Sequence, residues 1–170
     1  MVNPIGMKYN KGYTRNNLVV CLDDINFHWT KGRLIDLAEL WKDGRSYREM
    51  AAFFKRDPDE VVIAFLHLAT KGIVYYGKNG KRLVKQQKGV NSSKVVTALE
   101  NVNFIWDEDD LIKLAKMWNQ GKNLLDMPKY FRRNTLEIFL ACFHLARQDV
   151  IHFRGFVTEP ILLKGRSYSC

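Results

Sequence analysis

Apolar residues recur along this chain with a helical rhythm, and the second half repeats the rhythm of the first. Leu34, Leu37, Ala38 and Trp41 fall at i, i+3, i+4 and i+7, the spacing that gathers side chains on one face of an α-helix. Leu111, Leu114, Ala115 and Trp118 do the same. Thr30 and Asp107 stand where N-caps belong, and Gly44 and Gly121 suit a left-handed residue after the last turn. A second, shorter helix is predicted over residues 46–55, with Ser46 and Glu49 spaced as a capping box. Its counterpart runs from about 126 to 132, where Pro128 is tolerated only in the first turn. A third helix begins at Asp57-Pro58 in the first half and behind Asn134 in the second. It is apolar round most of its surface (VVIAFLHLA, IFLACFHLA) and is expected to be the central core element.

After Gly72 the alternation shortens toward a period of two. Residues 73–76 and 82–85 flank Gly77-Lys78-Asn79-Gly80, which reads as a hairpin. The second half offers 151–153, a bend near Gly155, and 161–163. Ahead of each helical stretch lies a short β-branched run, 18–22 and 95–99, which fits either a strand or the start of a helix.

Up to residues 73–74 and 150–151 these parallels form one ungapped repeat at a separation of 77 residues, and a two-residue insertion in the second copy then brings 83–85 over 162–164. Phe27, Trp29, Trp41, Gly44, Met50, Phe54, Arg56, Glu60, His67 and Leu68 lie over Phe104, Trp106, Trp118, Gly121, Met127, Phe131, Arg133, Glu137, His144 and Leu145. The expected organisation is an N-terminal tail (1–15), a first module (16–88), a linker (89–94) and a second module (95–170). The expected fold class is mainly α with small β-hairpins, as two tandem three-helix, winged helix-turn-helix modules.

Composition narrows the partners. Twenty-seven Lys and Arg against 18 Asp and Glu leave a net charge of +9, which favours a polyanion. The excess is local. Residues 27–74 carry eight basic and seven acidic side chains and residues 104–151 seven of each, whereas 75–94 carries six basic and no acidic ones. The three Cys show no paired spacing, which argues against a disulfide framework or a zinc knuckle and for a reducing, cytoplasmic setting. No signal-peptide core is evident, and the longest apolar run, 61–69, is too short to cross a bilayer, so no membrane association is expected. Walker, HExxH, GxSxG and GxGxxG patterns are missing, and neither catalysis nor a cofactor or metal is expected.

Trp29-Thr30, Trp41, Gly44, Ser46, Met50-Ala51 and Arg56, with Trp106, Trp118, Gly121, Met127 and Arg133, give the chain a pattern that resembles Myb/SANT-type modules and related bacterial helix-turn-helix regulators. The resemblance covers the helical part of each copy. It departs from Myb repeats late in the third helix, where Leu68 and Leu145 replace a tryptophan. It implies a DNA-binding trihelical fold whose third helix enters the major groove.

The leading expectation is thus a sequence-specific double-stranded DNA-binding protein, a transcriptional regulator of bacterial or phage type. Candidate DNA-binding residues are Lys78, Asn79, Lys81, Arg82, Lys85 and Lys88 on the hairpin and linker. Arg45, Arg48, Lys55 and Arg56 join them at the first helix-two to helix-three corner, and Lys122, Lys129, Arg132, Arg133 and Asn134 at the second. Asp57, Asp59 and Glu60 crowd the first corner and repel phosphate. The alternative is a protein-interaction module, or a homodimer, contacting its partner through the third helices. Non-specific architectural DNA binding is a third reading. His67 and His144 are expected to be structural, and the Trp and Phe side chains to be core.

Overall fold

The computed structural model describes residues 17–152. The amphipathic stretches form six helices: α1 (Lys31–Lys42), α2 (Tyr47–Phe54), α3 (Pro58–Thr70), α4 (Glu108–Asn119), α5 (Met127–Phe131) and α6 (Thr135–Arg147). The caps act through their side chains. Thr30 accepts from the Arg33 N–H, Ser46 and Glu49 complete the capping box, and Asn134 accepts from the Glu137 N–H. Asp107 occupies the N-cap position of α4 without a side-chain cap bond. Gly44 and Gly121 adopt φ of 88° and 80°, a region in which only glycine is free of strain.

Among the described residues, six three-residue strands make three antiparallel pairs. β3 (Val74–Tyr76) and β4 (Arg82–Val84) form the expected hairpin. The other two pairs join segments far apart in sequence. β1 (Leu18–Val20) pairs with β6 (Ile105–Asp107), placing Val19 opposite Trp106. β2 (His28–Thr30) pairs with β5 (Val95–Thr97), placing Trp29 opposite Val96. The 77-residue shift converts one pairing into the other.

The chain consequently divides into two compact units that are not successive in sequence. Among the described residues, one is contiguous, Ile25–Glu100, and holds α1–α3, the hairpin, β2 and β5. The other is split between residues 17–24 and 101–152, and holds α4–α6, β1 and β6. Each repeat gives its leading strand to the unit built on the other repeat's helices. This corrects the expected fold class. The chain is a mixed α/β fold, about 49% helical and 13% strand over the described residues, and not a mainly α pair of tandem three-helix modules. Local sequence marks 18–22 and 95–99 as strand-prone but carries no information about which distant strand they meet. The expected second hairpin, 151–163, lies almost wholly outside the described residues, as does the tail 1–15.

The core of the contiguous unit gathers Trp29, Leu34, Leu37, Trp41, Met50, Phe54 and the inward side of α3. The split unit repeats this with Trp106, Leu111, Leu114, Trp118, Met127 and α6. Strands this short are not stable alone, so the buried side chains beside them supply the stability. No helix among the described residues is long and apolar enough to cross a membrane, and no cluster of three His, Cys, Asp or Glu among them could hold a metal.

Candidate nucleic-acid interface

The β3–β4 hairpin closes tightly. The Gly77 N–H donates to the Lys81 carbonyl at 2.8 Å, and Asn79 and Gly80 both adopt left-handed conformations at φ 64° and 72°. Lys78, Asn79, Lys81, Lys85 and Lys88 are all exposed. Among the described residues none of these four lysines enters an ion pair, and no acid occurs between 75 and 99. Arg82 turns inward instead. Its guanidinium stacks on Trp41, 5.4 Å from the ring centroid, and donates to the carbonyls of Trp41 at 2.9 Å and Arg45 at 3.5 Å. A cation at the negative end of α1 is favourably placed, and it ties the hairpin to the helix.

The linker belongs to the fold as well. The carbonyls of Lys94 and Ser92 accept from the N–H groups of Lys31 and Gly32, both at 2.9 Å, and so satisfy two orphan donors at the start of α1. A Cβ on Gly32 would lie 3.1 Å from Ser92 Cβ. In the split unit the Asn17 carbonyl does the same for the Glu108 N–H at 2.8 Å.

The corner residues divide into free and engaged groups. Arg48, Lys55, Lys122, Lys129 and Arg132 are exposed. Arg45 pairs with Glu49 at 3.2 Å in the open. Asn134 serves as the cap of α6. Arg56 and Arg133 are drawn into the structure. Arg56 lies 4.3 Å over the Trp29 ring and 3.3 Å from Glu60, whose other oxygen accepts from the Asn26 N–H. Arg133 lies 4.1 Å over Trp106, pairs with Glu137 at 3.9 Å, and donates to the carbonyls of Asn103 and Ile105. With side chains only 11% and 18% exposed, these two arginines position the loop before each buried tryptophan and are not presented to a phosphate. The Glu60 carboxylate, expected to repel phosphate, is likewise used internally.

The third helices are largely covered. α3 is exposed only at its two ends, Pro58 and Thr70, and α6 at no position. Part of their surface is taken by the exchanged segments. The Leu99 N–H donates to Nδ1 of His67 at 3.2 Å, and the Leu22 N–H donates to Nδ1 of His144 at 3.1 Å. Leu22 and Leu99 are themselves left-handed, at φ 60° and 56°, with their side chains buried. In the split unit Arg147 also grips Asp24 with two bonds, 2.7 and 2.9 Å. That bond holds the Asp24 carboxyl below its ordinary range. Insertion of a third helix into the major groove, implied by the family resemblance, would fall on helices whose positions are nearly all buried or half-buried.

Burial pushes the Cys21 and Cys142 thiols up to about 12, which keeps them protonated and poor nucleophiles. The acidic run 107–110 fills the start of α4, where Asp110 pairs with Lys113 at 3.0 Å.

Sequence reasoning missed two side chains. Phe53 and Tyr130 stand 77 residues apart at matching positions and are exposed by 64% and 61%, although the phenylalanines were expected in the core. The signal was available: neighbouring aromatics on one helix, Phe53-Phe54 and Tyr130-Phe131, point about 100° apart, so both cannot face the same core. No protein-family model, curated protein or solved structure matches this chain.

Proposed function

We propose that this protein binds double-stranded DNA by laying the β3–β4 hairpin against the phosphate backbone. The observation that carries the reading is the set Lys78, Lys81, Lys85 and Lys88, four exposed ammonium groups in an acid-free stretch, none ion-paired among the described residues. Each phosphate they neutralise releases condensed counterions, the main source of sequence-independent affinity for a duplex. The tight turn places Lys78 and Lys81 on either side of Asn79-Gly80, and the bonds of Arg82 attach the arm to the end of α1. Arg48 and Lys55 in the same unit, and Lys122, Lys129 and Arg132 in the other, are further exposed cations that a phosphate could meet. Regulation of transcription, within this reading, requires that base sequence be read by groups other than those on α3 and α6.

The test is titration with duplex fragments at several salt concentrations. Replacing the four hairpin lysines by Ala is expected to weaken binding to all duplexes. It should also flatten the salt dependence by about 0.9 in log–log slope for each phosphate that is no longer neutralised. An unaltered slope rejects the hairpin as the binding surface. Fragments selected from a random duplex library then show whether one sequence is preferred.

A further inference from the structure

Phe53 and Tyr130 are the two most exposed large hydrophobic side chains among the described residues. Each lies in the last turn of a short helix, α2 or α5, and each is braced. The Phe53 ring meets Phe54 edge-on at 5.0 Å, and Phe54 meets the buried Trp29 at 5.4 Å. The Tyr130 ring meets Phe131 at 4.8 Å, and Phe131 meets the buried Trp106 at 5.7 Å. Two residues beyond each exposed ring stands an exposed cation in a left-handed conformation, Lys55 and Arg132, both at φ 53°. Arg48 on α2 and Lys129 on α5 add exposed positive charge to the same short helices. An aromatic ring held out in water gains little for its own fold. One that recurs at the same place in both repeats, beside cations each time, has the chemistry of a group that meets stacked bases between phosphates.

We propose that Phe53 and Tyr130 are wedges that enter base-pair steps of a bound duplex, with Lys55 and Arg132 holding the phosphates beside each opened step. The inference rests on the duplex-binding reading and adds DNA deformation to it. Insertion separates two stacked pairs and kinks the helix, so the cost falls wherever stacking is already weak.

The probes are two fluorescently end-labelled duplexes of identical sequence apart from one central mismatch. The wild-type protein is expected to prefer the mismatched duplex roughly tenfold and to shorten the end-to-end distance of both. The double variant Phe53→Ala, Tyr130→Ala is expected to lose the mismatch preference and the shortening. It should keep the wild-type salt slope, because every phosphate-neutralising cation is still present, and the wild-type Tm, because both side chains are exposed. A double variant that still bends DNA and still prefers the mismatch overturns the proposal, as does a wild-type protein that binds duplexes without either effect. Failure of the underlying reading looks different: no duplex is retained at any salt concentration, and both proposals fall.

Discussion

The N–H of Leu22 donates to Nδ1 of His144 across 122 residues of sequence, and the same bond recurs between Leu99 and His67. Only a neutral imidazole carrying its proton on Nε2 can accept there. Burial, the largest influence, holds both histidines below the ordinary value of 6.5. Lys71 lowers His67 further and Glu100 opposes it, while Arg147 lowers His144 and Asp23 and Asp24 oppose it. The unfolded chain therefore binds more protons than the folded one between the depressed values and about 6.5. Stability should be level above that pH and fall as the pH drops below it, the loss ending once the folded-state values are passed. Urea unfolding from about pH 5 to 8 measures this, and a flat profile contradicts the neutral-acceptor assignment.

Replacing His144 by Leu keeps the volume buried but leaves the Leu22 N–H without its acceptor. An orphaned buried donor costs about 1–3 kcal/mol, and that loss of unfolding free energy is expected above pH 7. The variant should also lose its share of the acid sensitivity. A variant as stable as the wild type at neutral pH would show that the bond contributes nothing.

Leu22 poses a choice between backbone and side chain. Glycine there would relieve a left-handed conformation that costs an L-residue about 1–2 kcal/mol. It would also delete a fully buried side chain, whose removal costs about 2–5 kcal/mol. Burial wins, so Leu22→Gly is expected to lower stability despite its favourable φ. A Tm at or above the wild-type value would mean that strain dominates.

Arg133 touches a ring, a carboxylate and two carbonyls, a set that only a planar, forked cation can serve. Arg133→Lys keeps the charge and should still destabilise the chain by roughly 1–3 kcal/mol, with the salt slope for DNA unchanged. Arg56→Lys should cost less, because Nη1 of Arg56 is already buried without a partner. Equal losses at the two sites would show that the extra carbonyl bonds of Arg133 are idle.

Truncation separates the two ways of dividing the chain. A fragment of residues 25–100 keeps β5, the buried Ala98 and Leu99 and the bond to His67. A fragment of residues 16–88 loses all three and the linker carbonyls that cap α1. Circular dichroism on heating should show a cooperative transition at a higher temperature for 25–100. The reverse order would mean that the exchanged strand is dispensable.

The helices are legible in the sequence because their signals are local. A Ser46–Glu49 capping box, Pro58 behind Asp57 and glycines at 44 and 121 fix boundaries from a few neighbouring residues. The exposed lysines of the hairpin are legible for the same reason, as charge in a turn. What escapes depends on distance. Arg56 and Arg133 look like corner cations until the tryptophans 27 residues before them are seen beneath their guanidinium groups. Arg82 likewise reads as one more hairpin charge, yet its partners are carbonyls 41 and 37 positions away. The apolar sequence of the third helices marks them as core, while the family resemblance also asks them to face DNA, for which the fold leaves mainly half-buried positions.

The pairing of Leu18–Val20 with Ile105–Asp107 has a consequence for synthesis. The contiguous unit has all its described residues once Glu100 has emerged, whereas β1 leaves the ribosome long before its partner strand exists. At about 5–20 residues per second that delay is roughly 4 to 17 seconds. Through it, Leu18 and Val20 form an unpaired apolar edge on a nascent chain whose next domain is already folding, a window in which a second ribosome on the same message could supply the wrong mate.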